Sequence, residues 1–572
     1  MNLRVMTLKP PAGIPGSADH RRPIARHAKN VTPRLSGVLR RWPLVIVLLV
    51  AAGFTAMCLR EAWLDSPTLD EPVYVAAGVL GEVHHDLIYN EEHPPLPKVI
   101  AALPVLADRP AIPAGWSTVR GHQETRYAAR FTEAQIAAGK LRTVTFLSRL
   151  VPILEAVAVG LVLYRLGSLL FGPPAGALAG VLWLANPVTM GLGHLDGVDL
   201  PVALATALTS LALLRWYRRR DRGSVILAGA AAGAAGAAGV AGLVVIAVAA
   251  GVVVIASWRD KGWHALVSGG AVGLTAGAFI WASYAVLDPR VVLHPVFFLP
   301  QPYVDGLRYL RTHDSNGYGY LLGMQWLGHR WWFWPGSLLV KTPLPTLVIL
   351  IAGLLALPAF PRRARREVLL VVAPLALALS AFTFFIPPDT GIRYLLPAIA
   401  LLLVAASGVV VIARGYTGRA VLAALGAASV VMAATSFPHS IAWTTPPFTP
   451  GYQFASGTNL DWGQDSYLVG QWSEGRHPYI AFHGPGPLKP SGTRPLIGTD
   501  PREITGWVAV SATLLTGRGN SSPAWLRSYC PVGTIGGSIL IYDFGQPPGS
   551  SSPGPARPAG LCQGSRYSHL VR

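Results

Sequence analysis

The sequence predicts a polytopic α-helical membrane protein of about eleven spans, with a large first outer loop and a small α/β or mostly-β outer domain near the C-terminus. Three observations predict it. Only 13% of the 572 residues are charged, whereas soluble domains average about 25%, and 51% are hydrophobic. Apolar segments recur along the chain at close to the ~20 residues that a spanning helix needs. The 47 Lys and Arg outnumber the 28 Asp and Glu, and the excess gathers in short clusters between those segments. Such clusters mark cytoplasmic loops rather than a nucleic-acid footprint, so no nucleic-acid partner is expected.

Residues 1–41 carry nine Lys and Arg against one acid, Asp19. They read as a disordered basic cytoplasmic arm with some attraction for anionic lipid. The basic region is too long for a signal peptide, so 43–59 is expected as a retained first span whose start is held inside by Arg40 and Arg41. The first outer loop, 61–142, contains an apolar piece at 99–106 that is too short to span and is expected to lie in the interface. Further spans are expected at 144–164, 175–192, 200–214, 224–239, 241–257, 264–286, 336–357, 367–385, 394–413 and 419–436. Alternation from a cytoplasmic N-terminus then places the basic clusters at 218–222, 259–261 and 362–366 inside. It places 61–142, 193–199, 287–335, 386–393 and everything after 437 outside. The stretch 224–257 is rich in Gly and Ala with no charged break, and also reads as one bent helix.

Residues 42–437 are thus the membrane domain, with 287–335 as its second large outer loop. Residues 438–545 change character, and the β-like runs at 507–510 and 538–542 place a small domain outside the membrane. The segment 546–572 reads as a flexible tail. Cys530 and Cys562 fall in this outer region and are either a disulfide or free thiols; Cys58 lies in the first span.

The outer face collects acids from loops far apart in sequence: Asp70-Glu71 after the first span, Glu92-His93 before two prolines, and Asp196 and Asp199 at the start of the fourth span. Neighbouring carboxylates can accept a proton or hold a hard cation. Each has a plainer reading. Asp199, ahead of Pro201, suits a helix N-cap, Asp70-Glu71 suits the positive end of a helix, and His93 can be a loop histidine. Two cations share the face. Lys341 lies just inside a span and Arg393 just before another, and either can bind a phosphate, Arg393 by a bidentate fork and Lys341 as a point charge. Acids beside cations in an outward cleft suit transfer of a group from a lipid phosphate.

These residues carry a family resemblance. Asp70-Glu71-Pro72, Glu92-His93-Pro94-Pro95-Leu96, Asp199-Leu200-Pro201, the run 299–307 with Tyr303 in it, Lys341-Thr342-Pro343-Leu344, Gly391-Ile392-Arg393-Tyr394 and Asn459-Leu460-Asp461-Trp462-Gly463-Gln464-Asp465 follow in order. The chain resembles the bacterial protein-mannosyltransferase-like branch of the polytopic GT-C glycosyltransferases, which use polyprenyl-phosphate sugars. The resemblance implies that 42–437 is a catalytic membrane domain of GT-C type. It implies Asp70 as general base or acceptor-positioning group, supported by Glu71, Glu92 and His93. It implies that Asp199 serves near the donor phosphate, that Arg393, with Tyr394 and Lys341, neutralises the leaving polyprenyl phosphate, and that attack inverts the anomeric carbon. Asp70, Glu92 and Asp199 are the candidate ligands of a divalent metal, Mg or Mn. Tyr303, Asp461 and Asp465 fall in the substrate region, the two aspartates being either turn residues or acceptor-facing.

Two positions depart from the family. The 224–257 stretch has no lysine where relatives often carry one, and Tyr74 stands where a histidine is expected. No Gly-rich nucleotide loop occurs, which argues against a nucleotide-sugar donor. The resemblance therefore implies a hexosyltransferase, mannose-like, in a bacterial cell membrane, with the N-terminus cytoplasmic and the site and C-terminus extracytoplasmic. Its partners would be a polyprenyl-phosphate sugar, membrane lipid, and a protein, glycolipid or glycan acceptor. The alternatives are a transporter or flippase for a lipid-linked substrate, which would show inverted repeats and mid-membrane acids, and a non-catalytic membrane scaffold.

Overall fold

The structure is a computed structural model that describes residues 42–118, 123–293, 295–296, 299–313, 318–385, 391–485, 492–517 and 522–545. The basic arm 1–41, the tail 546–572, and Cys562 within it lie outside the described residues. Among the described residues, seven helices are long and apolar enough to cross a membrane, and an eighth span is formed if a bent pair is counted as one. The protein is a multi-pass membrane protein.

The bent pair, Pro173–Leu184 and Pro187–Gly193, turns through 59°, where a single span was expected at 175–192. Proline at the first turn of a helix, following an N-cap, starts a new helix. Here Asn186 Oδ1 caps the Val188 amide at 3.0 Å, directly before Pro187. Another expected span breaks in the same manner, and two further stretches keep their expected helices with somewhat different bounds. The 336–357 segment breaks at Pro343 into Phe333–Lys341 and Leu344–Ala356. The 224–257 stretch is two helices rather than one bent one, Arg222–Ala238 and Gly242–Lys261, and the first is only 17 residues long. The 367–385 segment belongs to a longer helix, Arg362–Phe385, that begins in a basic run.

After the first span, Trp42–Leu64, the chain folds back through two helices, Glu71–His84 and Pro95–Leu106. The second covers the apolar piece that was expected as an interfacial helix. Lys98, Val99, Ala101, Ala102 and Val105 are buried, because it packs closely on the first. A Cβ built on Gly78 would stand 2.1 Å from the Lys98 carbonyl oxygen. Gly78→Ala is therefore expected to prise these helices apart, at a cost of about 1–3 kcal/mol, read as a fall in melting temperature.

The C-terminal region contains a five-stranded mixed sheet in the order Arg494–Pro495, Tyr479–Ala481, Trp507–Ser511, Ile539–Asp543, Gly533–Ile535. The first three strands are parallel and the last two pairings antiparallel. Val469 and Trp472 from helix Ser466–Ser473 pack on Ala509, Ile535, Ile539 and Ile541 of the sheet, which makes the region α/β. It is joined to the loop after the first span by backbone bonds, Ser66 N to Gln464 O at 2.9 Å and Leu69 N to Trp462 O at 3.0 Å. That junction brings Trp462 to the acids of the first loop.

Candidate active site

Asp70 occupies the N-cap position of helix Glu71–His84 but makes no side-chain capping bond. Its Oδ2 instead accepts from Arg393 Nη1 at 2.9 Å, with the Asp70 side chain 28% exposed and Arg393 11%. The guanidinium lies over the Trp462 ring, 4.5 Å from its centroid, and 5.4 Å from that of Tyr394. Stacking on aromatic faces holds a guanidinium in one plane while leaving its edge to hydrogen-bond. Asp199 stands close enough to feel the same cation. It opens helix Asp199–Arg219, yet the N-cap is Val198 and no side-chain capping bond forms, so the plainer reading of Asp199 as a cap does not apply. Its charge interacts with those of Arg393 and Asp70.

Three segments far apart in the chain therefore meet at one guanidinium. Beside them, His93 packs edge-on to Tyr74 at 5.6 Å, and its Nε2 is 3.5 Å from Glu92 Oε1. Burial, reinforced by Lys98 and Arg393, pushes the His93 imidazole down to about 3, so it is neutral and cannot serve as an acid at neutral pH.

Several sequence-predicted residues stand elsewhere. Glu71 points away from Asp70. It is fully buried in a two-pronged pair with Arg149, whose Nε and Nη2 lie 2.8 and 2.6 Å from the carboxylate. It also accepts from the Thr68 amide, the Thr68 hydroxyl and the Asp196 amide. Burial works to raise the Glu71 carboxyl, but Arg149 and these bonds outweigh it and hold the group below its usual value. Glu71 is thus a structural anchor rather than a second base. Removing one partner of such a pair strands a buried charge, so Arg149→Met is expected to destabilise the fold by about 3–5 kcal/mol, seen as loss of folded protein in size-exclusion chromatography.

Lys341 is 3% exposed and donates to the carbonyl of Ile441 at 2.8 Å and to that of Trp443. It straps the segment after the last span and does not join the Arg393 cluster. Tyr303 is buried against Tyr284, and its hydroxyl donates to Gly236 O at 3.1 Å. Asp461 accepts from the Thr513 amide at 3.0 Å, and Asp465 from the Ser538 hydroxyl; both are buried and tie their segment to the C-terminal sheet region. Among the described residues, no three His, Cys, Asp or Glu side chains are grouped to hold a metal ion. Asp70 is committed to Arg393, and Glu92 faces His93. The set Asp70, Glu92 and Asp199 does not fit a resident divalent metal.

Sequence reasoning missed a buried polar knot behind the acids. Lys98 Nζ donates to Asn90 O at 2.7 Å, to Asn90 Oδ1 at 2.8 Å and to His93 O at 2.7 Å, and Asn90 Nδ2 donates to Glu124 at 2.7 Å. This fixes the Glu92-His93 turn. Burial pushes Lys98 down and Glu124 up, each to about 7. A signal existed for Arg149, an ionisable residue inside an apolar run. None existed for Glu124, one more charge in a polar loop.

Residues 140–281 match the family model described as dolichyl-phosphate-mannose-protein mannosyltransferase. No curated protein matches the chain in a sequence comparison. Among solved structures the chain is similar to ArnT from Cupriavidus metallidurans in the apo state, at 15% identity and TM-score 0.44, over 70% of this chain and 64% of that one. It is similar to the same protein bound to undecaprenyl phosphate, at 14% identity and TM-score 0.43, over 86% and 97%. It is also similar to the archaeal oligosaccharyltransferase AglB from Archaeoglobus fulgidus in complex with an inhibitory peptide and a dolichol-phosphate. There the identity is 11% and the TM-score 0.47, over 86% and 72%.

Proposed function

We propose that this chain is an inverting membrane glycosyltransferase that moves a hexose, mannose-like, from a polyprenyl phosphate to an acceptor hydroxyl on the extracytoplasmic side of a bacterial cell membrane. The observation that carries this reading is the Asp70–Arg393 pair at 2.9 Å, with Asp199 interacting with both groups. The match of 140–281 to the mannosyltransferase family model supports it. The distribution of basic clusters supports an outward-facing site.

The acceptor oxygen attacks the anomeric carbon from the face opposite the phosphate. The bond from that carbon to the phosphate oxygen breaks, and polyprenyl phosphate leaves with the electron pair. Asp70 takes the hydroxyl proton. Negative charge grows on the departing phosphate, and a fixed cation aimed there lowers the barrier. Arg393 suits that task because a guanidinium has five donors in a rigid fork, here with its plane set by Trp462. Acceptor choice, whether protein, glycolipid or glycan, falls to the outer loops and the C-terminal sheet.

The test is donor consumption by the purified protein in lipid, using a panel of radiolabelled polyprenyl-phosphate hexoses with slow hydrolysis to free sugar also followed. Consumption of one hexose donor is the expected result. Folded protein that consumes and binds none would overturn the reading.

A further inference from the structure

Behind the acids lies a second set of ionisable groups for which the transfer chemistry has no use. His194 follows the short outer leg of the bent span and has no exposed surface. Its Nδ1 lies 2.7 Å from Met190 O and 3.2 Å from Glu61 Oε2, and its Nε2 lies 3.0 Å from Asp65 Oδ2. Every neighbour of either ring nitrogen is thus an oxygen acceptor, and a ring that satisfies both sides must donate from both. Glu61 also accepts from the Ser440 hydroxyl.

We propose that His194 is a positioning residue: its imidazolium, clamped between Glu61 and Asp65, sets where both acids that flank Arg393 stand. Two stretches of chain lead from this clamp to the site. Residues 65–70 run from Asp65 to Asp70, held on the way by Arg149, which donates to Asp65 O and Ser66 O at 2.8 Å each. Residues 194–199 run from His194 to Asp199, held by the Asp196 amide on Glu71 at 2.9 Å. Because Arg149 and Glu71 form one pair, the two stretches are tied together midway and again at the clamp. Loss of the clamp would free both acids at once, and small misplacement of reacting groups is costly.

The charge state agrees. Burial lowers the basicity of His194, but the bonds to Asp65 and Glu61 outweigh it and push the ring up to about 10. Burial also raises the Asp65 carboxyl despite the ring beside it. We assign the proton between them to the ring, because oxygen atoms stand on both of its sides. The other charged or titratable groups facing the clamp are Arg149 and Asp465 towards Asp65, Cys58 towards Glu61, and His439 beyond Asp465 at 3.9 Å. With a folded value above the unfolded one, the clamp's stabilisation is complete below pH about 6.5, declines as pH rises, and is gone above about 10.

The kinetic arm of the test rests on the transfer reading, and the exchange arm does not. In lipid nanodiscs, His194→Gln is expected to remain folded and to lower kcat about 100-fold with little change in donor KM. Amide exchange should quicken in peptides covering 65–71 and 194–199 and not elsewhere. Asp65→Asn weakens the clamp while keeping the imidazole. Its exchange in those peptides, corrected for intrinsic rate, should exceed wild type clearly at pH 6, where the wild-type clamp is complete, and by much less at pH 9. If His194→Gln does not fold, the Asp65→Asn comparison decides. Exchange in 65–71 and 194–199 that stays at the wild-type level in Asp65→Asn at both pH values overturns the proposal. So does a folded His194→Gln protein with unchanged kcat. A wild-type protein that consumes no donor refutes the transfer reading instead, and the exchange arm still stands.

Discussion

Asp70→Asn is expected to abolish transfer while leaving the protein folded. The amide cannot take the proton of the incoming hydroxyl, and loss of a positioned general base costs about 10²–10⁴ in rate. The fold should tolerate the change, because the Asp70 side chain is 28% exposed and makes no capping bond on which helix Glu71–His84 relies. Donor binding should hold or tighten, since Asp70 and a donor phosphate compete for the same guanidinium. The check is single-turnover transfer beside equilibrium donor binding. Normal turnover would remove Asp70 from the base and acceptor-positioning roles.

Arg393→Lys is expected to lower kcat/KM for the phosphate donor by about 10²–10³, the cost of one lost donor to a developing oxyanion. The ammonium keeps the charge but not the planar fork, and it cannot lie over Trp462 and Tyr394 as the guanidinium does at 4.5 and 5.4 Å. Stability should fall far less, by about 0.5–1 kcal/mol for the lost cation–π contact. Donor titration at fixed acceptor separates the two effects. Unchanged donor kinetics would leave Arg393 as a cation that merely reaches for lipid headgroups.

The two substitutions act on the same ion pair, so their effects should not add. Removing either partner already disrupts the 2.9 Å contact, and residues in direct contact couple strongly. A double variant no worse than Asp70→Asn alone is the expected outcome, measured in the same assay.

Much of this was legible in the chain. Apolar length and low charge are additive properties of a segment, so most spans could be read within a few residues. The acids could be read as a group because alternation of spans assigns each loop to a side before any folding is considered. Spans were misjudged where backbone chemistry, not hydropathy, sets the boundary: Asn186 with Pro187, and Pro343, end helices inside runs that are mostly apolar. Outer-face placement also overstated the site, since it cannot say which way a side chain turns. Asp70 and Glu71 are adjacent, and successive residues at a helix start point about 100° apart. One meets Arg393 and the other Arg149.

By itself, then, the sequence determined a multi-pass membrane protein and the residue types available for chemistry. These follow from transfer free energies that are local to each segment. Only the tertiary structure decided which charge is paired with which. Lys341 became a strap, Glu71 an anchor, and His194 a clamp because the energy of an ionised group below the surface depends on the few atoms within hydrogen-bond reach. Those atoms come from segments hundreds of residues away, as Asp70 and Arg393 do, and no local pattern records them.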